Sequence, residues 1–179
     1  LRNLLMKVVG TGDSAGLQEA IQTAFDQFRT SINASEGGTP LFGGGQTDGA
    51  PFSVDTLADA VTTDAASAFH NDTIRSTARV ADGVDVTYGL GADEIGTGLY
   101  NAFRTLAAAG SIGTKPSDAQ LTAIKGAMSQ LDTGLGALRA ANADNGRKQN
   151  QVETLAERGE ARALVDRKST RLNSSHTDI

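Results

Sequence analysis

Cysteine and tryptophan are absent from this chain, and aromatic residues make up only 4% of it. Without cysteine the chain can form no disulfide, no thiolate metal site and no cysteine nucleophile. The scarcity of aromatics leaves few bulky side chains for a thick globular interior, so the composition favours thin helix pairs packed through small residues. The 179 residues suffice for one compact domain or for a long helical rod with a small module.

Charge and hydropathy bear on two further classes of partner. The formal net charge of -5 would repel phosphate backbones, and no stripe of lysine and arginine with interleaved aromatics is present. No run approaches the roughly 20 consecutive apolar residues of a membrane-spanning helix. We therefore expect no nucleic-acid partner and no membrane partner.

The two ends of the chain depart from the pattern between them. Leu1 lies in an apolar, helix-like run with no cap before it, so we expect further residues upstream. At the other end, Asp166 to His176 reads DRKSTRLNSSH, which resembles the in-frame translation of a common sequencing-library adapter. We therefore interpret residues 166–179 as an artefact and assign them no function.

Apolar residues at helical spacing predict an amphipathic helix from Ser14 to about Asn33. Its narrow stripe, typical of a helix packed along one neighbour, consists of Leu17, Ile21, Ala24, Phe28 and Ile32. The helix should end at the glycines and proline of 36–40, which cannot continue it.

A glycine-rich stretch and a short α+β segment follow. Residues 39–52 form a predicted loop, and residues 55–68 predict a short helix or a turn. Apolar residues alternate from Thr73 to Tyr88 about Asp82-Gly83, which predicts a β-hairpin. Helical spacing predicts a second short amphipathic helix over residues 94–109.

The strongest periodic signal comes last. Ser117 and Gln120 form a capping box, which predicts a helix over 117–165. Apolar residues then step three, four, three, four and three, as in a coiled-coil seam: Leu121, Ile124, Met128, Leu131, Leu135 and Leu138. The same register continues as a polar seam through Asn142, Asn145 and Gln149. One long member of an ordinary helical bundle is the alternative interpretation.

No motif indicates a specific chemistry. The glycine-rich stretches 42–49 and 89–96 lack the spacing of phosphate-binding loops. His70 has no serine or cysteine motif beside it, so we interpret it as a surface or hinge residue. Four carboxylates lack the spacing of a calcium-binding loop and predict a solvated face: Asp82, Asp85, Asp93 and Glu94. We predict no catalytic residue, no metal ligand and no cofactor.

The order of these elements resembles that of the bacterial flagellin superfamily. Three segments carry the likeness: LQEAIQTAFDQFRTSIN (17–33), LFGGGQTDGAPF (41–52) and LGALRAANADNGRKQNQVE (135–153). The middle segment is similar to the Leu-Phe-x-Gly turn followed by Pro-Phe that occurs in hook-filament junction proteins. This similarity favours the junction branch over the filament flagellins. The outermost helices that line the family's filament core have no counterpart in this sequence, and the central module is short.

The resemblance implies a mainly α fold, in which a long antiparallel coiled-coil rod carries a small hairpin-containing module between its helices. The expected segments are an N-terminal rod helix (1–36), a glycine-rich hinge with an α+β module and a hairpin near 73–88 (37–116), and the C-terminal heptad helix (117–165). The stripe of the first helix should pack against the apolar seam of the last. The protein would then act through assembly of its subunits alone.

The resemblance also implies a secreted structural subunit, exported through the flagellar type III apparatus to the outside of the cell. Its partners would be hook-associated protein, flagellin, further copies of itself and an export chaperone. Two other classes stay open. A soluble enzyme would need a concave pocket with convergent polar groups. A coiled-coil adaptor or secreted binding module would share the long helix but would not need an N-terminal helix packed antiparallel along it.

Overall fold

The structure is a computed structural model that describes residues 1–81 and 83–175. Asp82, in the predicted hairpin turn, and the last four residues of the predicted artefact lie outside this range. The helices are α1 (Arg2–Thr11), α2 (Leu17–Ile32), α3 (Ala65–Ala68), α4 (Ala92–Ala108) and α5 (Asp118–Ser175). The strands are β1 (Ser35–Glu36), β2 (Thr39–Pro40), β3 (Ser76–Ala81) and β4 (Val84–Tyr88). Among the described residues, no helix has both the length and the apolar character needed to cross a membrane.

Contacts within the chain define two compact units, and each unit draws on separate stretches of sequence. The first unit consists of Leu1–Arg75 and Gly89–Ala141, and the second of Ser76–Tyr88 and the residues from Asn142 onward. Each unit is therefore discontinuous, whereas the sequence suggested continuous segments.

Helix α2 buries three residues of the predicted stripe and one residue outside it. Leu17, Ile21 and Ile32 are buried as expected, but the residue buried at the middle of the helix is Phe25. Ala24 and Phe28 are only half-buried. Position 25 lies four residues after Ile21, on the same face, and its ring is fully buried in the core. Ala24 and Phe28 pack against this core as partly buried residues, and Phe25 is a buried residue that the stripe did not include.

An aromatic cluster forms the centre of the first unit. It contains five of the six phenylalanines and one of the two tyrosines: Phe25, Phe28, Phe52, Phe69, Tyr100 and Phe103. The ring of Phe52 meets those of Phe69 and Tyr100 at centroid distances of 5.1 and 5.0 Å, and the Tyr100 hydroxyl donates to the Thr63 carbonyl at 2.9 Å. Most of the few aromatic residues of the chain therefore collect at one place, which the composition alone did not indicate.

The segment 55–68, predicted as a short helix or a turn, contains one 3₁₀ turn (Asp59–Val61) and α3. Asp64 caps α3, since its carboxylate accepts from the Ser67 N–H at 2.7 Å, which lowers the pKa of Asp64. Shortly before this segment, Phe52 is tied to the end of α2 by Asn33, whose side-chain amide donates to the Phe52 carbonyl at 2.8 Å and accepts from the Phe52 N–H at 2.9 Å. This reciprocal pair holds Phe52 over the aromatic cluster.

The Leu-Phe-Gly-Gly-Gly turn lies directly against residues 71–74. The Gly45 N–H donates to the Asp72 carboxylate at 2.7 Å, and the Ala92 N–H donates to the Phe42 carbonyl at 3.0 Å. Gly44 has a φ of +72°, and a Cβ there would lie 2.3 Å from the Asp72 carboxylate. Glycine is therefore required at this position both by backbone conformation and by space.

Helix α5 begins at the predicted capping box, which is confirmed in both directions. The Gln120 N–H donates to the Ser117 hydroxyl at 3.2 Å, and the Ser117 N–H donates to the Gln120 side-chain carbonyl at 3.0 Å. The helical backbone then continues through Ser175, without a break at Asp166 where the adapter-like sequence begins.

The second unit contains an antiparallel hairpin within the range that predicted one. Its register pairs Thr77 with Thr87, Ala78 with Val86 and Arg79 with Asp85, and a bulge follows Arg79. Gly83 has a φ of +73°, as an Asp-Gly hairpin turn requires.

Candidate interaction surfaces

The predicted seam of α5 changes from buried to open along its length. Ile124 and Leu131 are buried in the core of the first unit, while Leu121, Met128 and Leu135 are half-buried. Leu138, one step further, is 39% exposed. The first part of the seam therefore lies within the core, and beyond Leu131 the seam becomes more exposed, from half-buried Leu135 to Leu138.

Residues from both predicted stripes meet around an open groove of ≈ 430 Å³ in the first unit. Ala24 and Phe28 from α2 lie on one side, and Leu131 and Leu135 from α5 lie on another. Its other lining residues are Leu1, Arg2, Gln27, Ser31, Leu99 and Phe103. Leu17 and Ile21, which the sequence placed in the same packing surface, lie in the hydrophobic core and do not line the groove.

An ion pair lies beside this groove. The Arg2 guanidinium donates to both carboxylate oxygens of Asp132, the second contact being 3.1 Å long. Hydrogen bonding and the charge of Arg2 hold the pKa of Asp132 below its usual range. The two side chains are 40% and 50% exposed, so the pair fixes geometry more than it adds stability.

Helix α4 is a partner of α5 that the sequence did not reveal. The helices approach so closely that a Cβ at Gly134 would lie 2.8 Å from the Leu99 backbone nitrogen, and one at Gly98 would lie 2.8 Å from the Gly134 Cα. Thr105 on α4 also donates to the Gln130 side chain at 2.8 Å. The signal was present as glycines inside two helical patterns, where a glycine often marks a close approach.

The close contact between α4 and α5 predicts opposite changes in stability when two nearby glycines of α5 are replaced by alanine. Changing Gly134 to Ala should destabilise the first unit by about 1 to 3 kcal/mol, because the new methyl group meets backbone atoms of α4. Changing Gly136 to Ala should stabilise it by about 0.5 to 1 kcal/mol, since alanine favours the helix and nothing lies within 4 Å of that Cβ. Urea titration of both variants measures the two effects, and equal shifts would contradict the close contact.

The polar seam lies in a different environment. Asn142, Asn145 and Gln149 are all exposed. Asn145 and Gln149 line a second open groove, of ≈ 280 Å³, together with residues of the hairpin in the second unit. The hairpin contributes Ala78, Val80, Val86 and Tyr88, and α5 also contributes Lys148, Val152 and Glu153.

Three of the four carboxylates have polar partners in the structure. Asp85 pairs with Arg79 at 2.9 Å, and this hydrogen bond lowers the pKa of Asp85. Asp93 accepts from the Asn71 side chain at 2.6 Å. Glu94 forms an ion pair with Arg75. Asp82 lies outside the described residues. Across the described chain, no three acidic, histidine or cysteine side chains are grouped closely enough to hold a metal ion.

His70 has a partner that the sequence did not indicate. Its Nε2 lies 2.9 Å from the Ser53 hydroxyl, and both side chains are exposed. An isolated antiparallel bridge between Phe52 and Phe69 places them side by side. The nearest signal in the sequence was the pair of aromatic residues beside Ser53 and His70, whose burial fixes both positions.

No family model and no curated protein sequence matches the chain. Among solved structures, the chain is similar to one from Vibrio parahaemolyticus that is provisionally described as a flagellar hook-associated protein. The likeness has a TM-score of 0.70 at 22% sequence identity, and it covers 95% of this chain and 76% of that one. At this identity it shows a shared fold: a mainly α protein with two small antiparallel sheets and a long C-terminal helix.

Proposed function

We propose that this chain is a structural subunit of the bacterial flagellum, of the hook-associated class, and that it acts by assembly and not by catalysis. The observation that carries the proposal is the likeness in fold to a protein described as hook-associated, which extends over 95% of the chain. The three sequence segments that resemble the flagellin superfamily support the same class independently of the fold.

The hook-filament junction is the place that we propose for it, with a filament flagellin as the alternative. The Leu41 to Phe52 turn supports the junction, because its sequence resembles the corresponding turn of junction proteins. It also packs against residues 71–74 in a conformation that requires glycine at position 44. The subunit would be exported through the type III apparatus, with a chaperone, to the outside of the cell. There it would contact other flagellar subunits and copies of itself.

Coiled-coil packing is the mechanism that we propose for this assembly. Leu135 and Leu138 continue the three-four stripe of the buried seam onto an exposed surface. A helix with a complementary stripe would cover them and would reach the groove between Ala24 and Leu131. In this proposal, some of the packing residues predicted in α2 and α5 belong to the core of the chain itself, and the others would be covered by a partner helix.

The polar seam should then set the register of that partner. Replacing Asn142, Asn145 and Gln149 together by Leu should raise helicity and produce non-native oligomers, because apolar seam positions pair with fewer restrictions on register. Circular dichroism and light scattering measure the two effects. The same triple change at the exposed positions Ala143, Arg147 and Asn150 is a control for added hydrophobicity. A seam variant as monomeric as its parent would refute the register role.

Immunogold labelling of flagella tests the proposed function directly. An antibody raised against this chain should label a single band between hook and filament in cells that carry its gene. Labelling along the filament would instead identify a filament flagellin. If the antibody labelled other structures and left the flagella unlabelled, the flagellar assignment would be overturned. A coiled-coil adaptor or a secreted binding module would then be favoured.

A further inference from the structure

The hairpin of the second unit is a two-stranded sheet whose outer edges have no partner strand. Within the described chain, β3 pairs with β4 and neither strand pairs with any other. The outward backbone N–H and C=O groups of each strand are therefore available to an added strand. The hairpin shares a groove with α5, where Val86 is buried, and a third strand would add to the stability of this two-stranded sheet.

The two edges differ in how well they could accept such a strand. The ladder along β3 is interrupted by the bulge after Arg79, whereas β4 runs from Val84 to Tyr88 as a regular strand. Neither strand contains proline or lysine, the residues that most often protect an exposed edge. Before the bulge, the ladder is regular from Ser76 to Arg79 on β3 and from Asp85 to Tyr88 on β4, and these are the stretches that an added strand could use.

Side-chain charge identifies the strand that fits this edge. Arg79 donates through Nε and Nη2 to the two carboxylate oxygens of Asp85, at 2.9 and 3.2 Å. Both side chains stay largely exposed, at 70% and 51%. Arg79 retains Nη1, and the carboxylate retains further acceptor capacity, so each could serve a second partner of opposite charge.

We propose that β3 of a second copy of this chain adds to the free edge of β4, antiparallel and in the register of the hairpin itself. Arg79 of one copy then lies opposite Asp85 of the next, Thr77 opposite Thr87, and Ala78 opposite Val86. These are the cross-strand pairs that already hold β3 against β4 within one chain. The inference goes beyond the flagellar assignment and does not depend on it.

Two other pairings of copies satisfy the charges less well. Pairing β4 with its own copy about Val86 places Asp85 opposite Thr87 and leaves no oppositely charged pair between the copies. Pairing β3 with its own copy about Arg79 places two guanidinium groups opposite each other, which is destabilising. The proposed contact joins unlike surfaces, so it repeats from copy to copy and does not close into a dimer.

A charge-swap experiment on the full chain tests the proposal. The double variant R79D/D85R keeps the ion pair within each hairpin and keeps the pairing between identical copies. A mixed contact between this variant and the parent chain instead places like charges opposite each other. We expect the parent and the double variant each to self-associate weakly, above micromolar concentration, and the mixed contact to be about tenfold weaker.

The probe is the parent chain labelled at its N-terminus, titrated in sedimentation runs with unlabelled parent or with unlabelled double variant. Hydrogen exchange of the β4 amides should also slow as the concentration of the parent chain rises, while the amides of β1 and β2 stay unchanged. Equal binding of the two unlabelled chains would overturn the charge register. Concentration-independent exchange of β4 up to the millimolar range would overturn strand addition itself. Neither result depends on where the antibody labels cells.

Discussion

Replacing Phe52 by Ala is expected to lower the free energy of unfolding of the first unit by about 3 to 5 kcal/mol. Its ring contacts the rings of four other residues, with centroid distances from 5.0 to 6.4 Å. Truncation removes this contact area and leaves a cavity that the surrounding rings, held by α2 and α4, can fill only in part. Urea unfolding of both chains in a Tyr88→Phe background, where Tyr100 is the one remaining tyrosine, measures the change by fluorescence.

Two controls separate the cavity from other effects of substitution at this position. Phe52→Leu retains part of the volume and should cost clearly less than Phe52→Ala. Val61→Ala removes an apolar side chain that is 47% exposed, so it should change stability by no more than about 0.5 kcal/mol. If Phe52→Ala were as mild as Val61→Ala, the aromatic cluster would not be the centre of the unit.

Leu131→Ala is expected to destabilise the first unit by about 2 to 5 kcal/mol. Leu131 is 6% exposed and lies between the hydrophobic core and the first groove, so its loss opens the core towards the groove. The matched control is Leu138→Ala, one heptad further along the same face and 39% exposed, which should cost about 1 kcal/mol or less.

The comparison between these two leucines also tests how the seam is divided. Thermal unfolding of the isolated chain should separate the two variants clearly. In a complex with a partner helix, Leu138→Ala should become costly as well, because its side chain would then be buried. Equal costs in the isolated chain would mean that the seam is covered or open along its whole length.

Local signals in the sequence were sufficient for the helices and for the capping box at Ser117. Helical spacing reports which face of a segment is apolar, and turn glycines such as Gly83 report where the chain reverses. These features depend on residues close together in the chain. The hairpin and the boundaries of α2, α4 and the start of α5 therefore lie within a few residues of their predicted positions.

The packing partners depend on residues distant in the chain, and they could not be read from it. Nothing near Gly134 in the sequence indicates that it lies against Leu99, and nothing near Phe52 indicates four neighbouring rings. Aromatic content also gave no sign of the cluster, because composition reports the number of aromatic residues and not where they gather. The seam residues remain a prediction from periodicity, and periodicity does not say which part of a stripe the chain covers by itself.

The discontinuity of the first unit has a consequence for the timing of folding. Arg2 pairs with Asp132 across 130 positions, and Ser14 donates to the Gly113 carbonyl across 99. Contacts so distant in sequence form slowly, because closing long loops costs entropy before any packing is gained. During synthesis, α1 and α2 emerge long before α5 and expose their apolar faces until it follows. We propose that the subunit is exported unfolded. Slow folding would then keep the chain unfolded during export, until it reaches its place of assembly.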